Sequence, residues 1–174
     1  MTNHFYIIPE CFVDTNLIST LIDANVNHQK GCGAVAKIMS CKDEFCVGII
    51  DKDKKQPSYI QEFKLIASRS HLDLYKHYQK PQYFIMINPA VESFILHCVK
   101  ETGKDMSLYG LPSSLPSFKK YTKKIDANKN PKISGLIRDI RDCAEIKALC
   151  LTLNYLINNK YIVDITELKE IFLS

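Results

Sequence analysis

A chain of 174 residues, 46% apolar and 24% charged, is long enough to bury a core without disulfide staples, and a single domain over residues 1–174 is the default expectation. The net charge of +4 is compatible with a nucleic-acid partner but too small to argue for one. Seven cysteines, an odd number with no CxxC or other zinc spacing, read as reduced thiols rather than a disulfide framework. No basic-then-apolar leader opens the chain, and no apolar run approaches the roughly 18 residues of a membrane span. The expectation is a cytoplasmic protein.

Residues 4–9 (His-Phe-Tyr-Ile-Ile-Pro) read as a first strand that ends directly on Glu10. Asp14 or Thr15 is placed to cap a helix through Leu17, Ile18, Leu21 and Ile22. A short strand edge near Asn25 and Val26 leads through Lys30 into a loop with Gly31 and Gly33, and residues 34–39 suit a short helix. The run Phe45-Cys46-Val47-Gly48-Ile49-Ile50 is continuously apolar, the pattern of a strand buried on both faces. It stops abruptly at Asp51-Lys52-Asp53-Lys54-Lys55. In an extended chain Asp51 and Asp53 point to the same side. The order so far is β-α-β-α-β, which predicts an α/β sheet with parallel strands. In such sheets ligands gather at the strand C-termini, where Glu10 and the Asp51/Asp53 pair both fall.

Residues 56–80 carry a weaker pattern. Leu72, Leu74, Tyr75 and Tyr78 suggest a helix or irregular connection. Tyr83-Phe84-Ile85-Met86-Ile87 is a further strand, followed by Asn88-Pro89 as a helix start with proline at its first position and Glu92 in the first turn. A carboxylate there is also favoured by the helix dipole alone. Residues 103–116 read as a loop. Residues 118–132 hold six lysines with Phe118 and Tyr121 between them, a pattern that suits either a phosphate backbone or a solvated helix face. Residues 133–158 keep a helical apolar period, and Asp164 or Thr166 opens a last short helix.

The acids Glu10, Asp14, Asp51, Asp53 and Glu92 form a candidate metal set. Hard oxygen ligands suit Mg²⁺ or Mn²⁺, ions that stabilise phosphoryl charge and generate a nucleophilic water. Taken singly, Asp51-Lys52-Asp53 is equally an ordinary polar turn after a strand, and the neighbouring lysines are equally surface charge.

As an ordered set over roughly residues 4–100, these motifs resemble a topoisomerase–primase (Toprim) domain. The likeness is closest to the stand-alone Toprim-like proteins of prokaryotic defence and mobile elements and to the nuclease half of the overcoming-lysogenization-defect (OLD) family. Glu10-Cys11-Phe12-Val13-Asp14 is similar to the family's Glu-Gly-x-x-Glu/Asp opening, with Cys11 in place of the glycine. Asp51-Lys52-Asp53 looks like its Asp-x-Asp, and Asn88-Pro89-Ala90-Val91-Glu92 like its Asn-Pro…Glu element. The resemblance implies a Toprim-like sheet of about four mainly parallel strands flanked by helices over residues 4–100. A helical C-terminal part, residues 118–174, would pack on that core. It implies metal-dependent phosphodiester hydrolysis of DNA or RNA, with Glu10 as ligand or general base and Asp51 and Asp53 as main ligands. Asp14 and Glu92 would support a second metal, and Lys30, Lys52, Lys54 or Lys55 would meet phosphate. The chain has no P-loop of its own, so an ATPase partner would be a separate protein. The competing reading is a Toprim-fold nucleic-acid-binding or regulatory protein that keeps the acids without cutting. A receiver-like or phosphatase-like domain is disfavoured, because the first strand supplies a lone Glu10 rather than an acid pair.

Overall fold

The structure, a computed structural model, describes residues 2–52 and 55–174. Three strands with continuous apolar sequence form its centre: β2 (Ile7–Pro9), β4 (Cys46–Asp51) and β7 (Gln82–Ile87), each buried along its length. β4 pairs in parallel with β2 on one side and β7 on the other. Such strands need cover on both faces. On one face Ile8, Cys46, Ile50, Phe84 and Met86 pack against Val35 and Met39 of α2 (Cys32–Ser40). On the other, Ile7, Val47, Ile49 and Ile85 pack against α1 (Phe12–Ile22), α3 (Val91–Glu101) and the C-terminal helices. Gly48 is where the sheet approaches α2 most closely. A Cβ there would lie 2.5 Å from the Phe84 ring and 2.7 Å from Met39 Sδ.

The expected four mainly parallel strands become a mixed sheet of five, in the order β2-β4-β7-β6-β5. The added pair is β5 (Phe63–Ser68) and β6 (Leu72–His77): β6 runs antiparallel to β7, and β5 antiparallel to β6. Residues 72–77 are therefore strand, not helix. Leu72 and Leu74 share one apolar face at period two and enter the main core.

The expected first strand is split. β1 (Thr2–His4) pairs in parallel with β3 (Ala24–Val26) as a small second sheet. Bonds from Asn27 N–H to the Ile7 carbonyl and from Gln29 N–H to the Pro9 carbonyl then carry the segment after β3 along the free edge of β2. The chain thus turns one way from β2 to β3 and the other way to β4. Glu10 and Asp51 end the two strands that flank this reversal, the position where open α/β sheets gather ligands.

Several helix boundaries also differ from expectation. α1 is capped by Cys11, whose sulfur accepts the Asp14 N–H at 3.5 Å, so Asp14 and Thr15 lie inside the helix. α3 begins at Val91 with Ala90 as its cap residue, so Pro89 precedes the helix instead of opening it. After α4 (Leu115–Thr122), the expected long helix is two: α5 (Pro131–Asp139) and α6 (Ala144–Asn159). α7 (Ile165–Leu173) is capped by Asp164. Ile133, Leu149 and Phe172 from these helices join the same apolar cluster as Val47 and Ile85. No helix among the described residues is long and apolar enough to cross a membrane.

Candidate functional site

Glu10 leaves β2 as the chain turns into α1. Its backbone N–H continues the ladder to the Ile49 carbonyl at 3.0 Å, and its carbonyl accepts Gly31 N–H at 2.9 Å. Gly31 has φ +92, a conformation that favours glycine, so the glycine loop closes directly against the Glu10 turn. The Glu10 side chain is fully buried, and Oε2 accepts the backbone N–H of Asp51 at 3.1 Å. Asp51, 4% exposed, in turn accepts the Val91 N–H through Oδ1 at 3.0 Å. Ala90 offers no side-chain cap for α3. The Asp51 carboxylate takes that place, where the helix dipole favours a negative charge.

Asp14 lies in the first turn of α1. It is fully buried, and neither carboxylate oxygen has a hydrogen-bond partner of ordinary geometry among the described residues. Burial first, then the charge of Asp51, push its carboxyl well above the usual carboxylate range, and Glu10 and Glu92 add to this. Only the nearby Cys11 thiol works in the opposite direction. The thiol is itself pushed up, by its burial and then by the Asp14 charge. Asp14 thus feels the charge of three other carboxylates, Glu10 after β2, Asp51 at the end of β4 and Glu92 in α3. Glu92 is the most exposed of them, and its Oε1 accepts the Thr122 hydroxyl at 2.6 Å. This bond places the lysine-bearing helix α4 at the rim of the acidic group.

Asp53 and Lys54 lie outside the described residues. Among the described residues, no group of three or more His, Cys, Asp or Glu side chains is arranged to hold a metal ion by itself. Lys52 is turned toward β6, where its Nζ meets Asp73 at 2.6 Å. That hydrogen bond raises the lysine's pKa and keeps it charged. Lys30 and Lys55 are exposed, on the glycine loop and after the Asp51 turn respectively. The Cys32 thiol reaches the Lys55 carbonyl at 3.7 Å, so these two segments border each other.

Three contributors carry no sequence signal. Asp73 and Thr122 reach the site only through tertiary contact. The third is His28, stacked on Phe12 with ring centroids 4.5 Å apart. Its Nδ1 lies 2.9 Å from Thr15 Oγ1. The Thr15 hydroxyl already donates to the Cys11 carbonyl at 2.8 Å, so toward His28 it accepts, and hydrogen bonding assigns the ring proton to Nδ1. Burial lowers the His28 pKa, and Nε2 is a buried nitrogen without a hydrogen-bond partner among the described residues. Comparison with protein families, curated proteins and solved structures finds no match to this chain.

Proposed function

We propose that the acidic end of the sheet binds Mg²⁺ or Mn²⁺ and hydrolyses phosphodiester bonds in nucleic acid, as a Toprim-type nuclease. The observation that carries this reading is Asp14. A buried carboxylate without a partner is costly, and here three further carboxylates add to the cost. A divalent cation relieves all of it at once, and carboxylate oxygen is the donor type that Mg²⁺ and Mn²⁺ take. The order of acids supports the same reading: Glu10 after the first central strand, Asp51 ending the second, and Glu92 opening the helix after the third. The parallel core β2-β4-β7 would be the Toprim element, with the hairpin β5-β6 as an addition at its edge.

In this reading Asp51 and Asp53 are the main ligands, Glu10 is a further ligand or the general base, and Asp14 and Glu92 support a second ion. A cation there supplies Lewis-acid stabilisation of phosphoryl charge and a nucleophilic water. Glu10 is fixed by the Asp51 N–H and Asp51 by the Val91 N–H, so both carboxylates are held in place before substrate arrives. Lys30 and Lys55, exposed beside the site, are the described lysines that meet substrate phosphate, whereas Lys52 is committed to Asp73. A separate ATPase would be the natural partner of a chain without a P-loop.

One observation favours the alternative, a nucleic-acid-binding or regulatory protein of the same fold that does not cut. Glu10 and Asp51 each already serve a backbone N–H, a structural use that needs no metal. Cleavage of plasmid DNA and of RNA with Mg²⁺ or Mn²⁺ separates the two. Asp51→Asn keeps an acceptor for Val91 and removes the charge. The nuclease reading expects cleavage by wild type and a loss of about 100-fold or more in this variant. Equal cleavage by both proteins contradicts it, and a wild type inert with either metal favours the binding protein.

A further inference from the structure

A cleft of about 970 Å³ runs along α1, between that helix and β3 on one side and residues 128–141 on the other. One end is Thr15 and His28, beside Asp14. The other is Asp23 at the C-terminus of α1. At the helical rise of 1.5 Å per residue, Thr15 to Asp23 spans about 12 Å. Three cations converge on this cleft: Lys129, Arg138 and Arg141. No carboxylate among the described residues pairs with any of them, in contrast to Lys52 and Lys80, which have Asp73 and Asp43. Arg141 is held in position by the Thr20 and Leu21 carbonyls. Lys129 and Arg138 are exposed. Between the cations the wall is lined by hydroxyls, among them Thr15, Ser19 and Ser134, and Val26 is the one aliphatic side chain in the lining.

We infer that this cleft carries the sugar–phosphate backbone of a single nucleic-acid strand into the acidic site. The inference rests on the nucleic-acid reading above and names its substrate track. Unpaired Arg and Lys alternating with Ser, Thr and Asn is the chemistry that contacts phosphate and sugar oxygens. A protein partner would instead need an apolar centre to its contact, and the cleft has none. The track is assigned to one strand, because a polar groove with spaced cations is how single-stranded backbones are followed. The Asp23 carboxylate sits at the end remote from the acids, where the C-terminal carbonyls of α1 also repel anions, so the strand leaves the cleft over Arg138 and Arg141. At the near end the cleft is lined by Thr15, the residue after Asp14 in α1, and by His28, so the track is directed toward the end of α1 that carries the proposed chemistry.

The test is fluorescence anisotropy of the full chain with labelled single-stranded DNA, single-stranded RNA and duplex, all in chelator so that cleavage plays no part. Lys129→Ala/Arg138→Ala changes exposed side chains, and an unchanged melting curve establishes its fold. The double variant is expected to bind single strands at least about tenfold more weakly, with the salt slope reduced by about 1.4 for two lost phosphate contacts. The control Lys37→Ala/Lys64→Ala, on exposed positions of α2 and β5, is expected to bind as wild type. Wild-type affinity in Lys129→Ala/Arg138→Ala overturns the inference, and so does an equal loss in the control. Tighter binding of duplex than of single strand, or displacement by a mononucleotide as effective as by the oligonucleotide, also overturns it. Asp51→Asn separates the two readings. If it cuts as wild type while the cleft variant loses binding, the catalytic reading falls and the strand track stands.

Discussion

Asp14 and Asp73 are both buried aspartates at the C-terminal end of the parallel strands, and the protein treats them differently. Asp73, on β6 and 3% exposed, receives Lys52 Nζ at 2.6 Å on one oxygen and the Ser68 hydroxyl on the other. Asp14, in α1 and fully buried, has no hydrogen bond of ordinary geometry to either oxygen among the described residues, and apart from the Cys11 thiol the groups that act on its charge are other acids. The lysine that could have served the acidic group is drawn to the hairpin instead. A fold that satisfies one buried carboxylate completely and leaves another bare has separated a structural acid from one whose partner comes from outside. The same contrast recurs among the cations, with Lys52 and Lys80 paired to aspartates and Lys129, Arg138 and Arg141 along the α1 cleft without a carboxylate partner among the described residues.

The largest expected effect is on activity. Glu10→Gln, like Asp51→Asn, is expected to lower metal-dependent cleavage about 100-fold or more, whereas Asp73→Asn leaves it within the range of a mild stability change. Cleavage lost equally in Asp73→Asn breaks the distinction between the two sites. Stability follows with the opposite ranking. Asp73→Ala leaves Lys52 and Ser68 without their acceptor and is expected to cost about 1–3 kcal/mol in urea unfolding, toward the lower end because Lys52 is 42% exposed. Asp14→Asn, measured without divalent cations, removes a charge that burial opposes and is expected to leave stability unchanged or raised. A loss as large as that of Asp73→Ala would mean that Asp14 is held by the fold after all.

A smaller effect separates charge from hydrogen bonding at Asp51. Asp51→Ala strips the Val91 N–H of its acceptor and is expected to be about 1 kcal/mol less stable than Asp51→Asn. Equal stabilities would remove the helix-capping role. The smallest effect is a pH slope remote from both acids. His77 accepts the Gln79 and Lys80 N–H groups through Nδ1 and faces Glu62 through Nε2. Burial holds its pKa below the usual value. The unfolded chain therefore binds more protons than the native protein just below pH about 6.5, and stability falls as pH drops through that window. His77→Gln is expected to flatten this part of the stability–pH curve, and an unchanged slope would assign it to another group.

The parallel strands, and the placement of Glu10 and Asp51 at their ends, were legible because continuous apolar runs stop there at acids, whereas Asp14, expected as a helix cap, lies inside α1. The hairpin β5-β6 was not legible. Its turn, residues 69–71, is Arg-Ser-His, with no Gly, Pro or Asn to mark it. The break between α5 and α6 was hidden for a related reason. The first N–H of α6 is capped by Glu101 Oε1 from α3 at 2.9 Å, and α3 is capped by Asp51 from β4. Caps supplied by distant residues leave no local signal. Cys11 was legible only as a missing glycine, whereas its sulfur serves as the helix cap. The α1 cleft joins residues more than a hundred positions apart, so Lys129 was legible only as part of a lysine-rich stretch, and Arg138 and Arg141 carried no local pattern.

The most direct test of the account is calorimetric titration of Mn²⁺ into wild type, Asp14→Asn and Asp73→Asn. The account predicts that wild type binds Mn²⁺, that Asp14→Asn binds at least about tenfold more weakly, and that Asp73→Asn binds as wild type. No binding by wild type, or undiminished binding by Asp14→Asn, would contradict it.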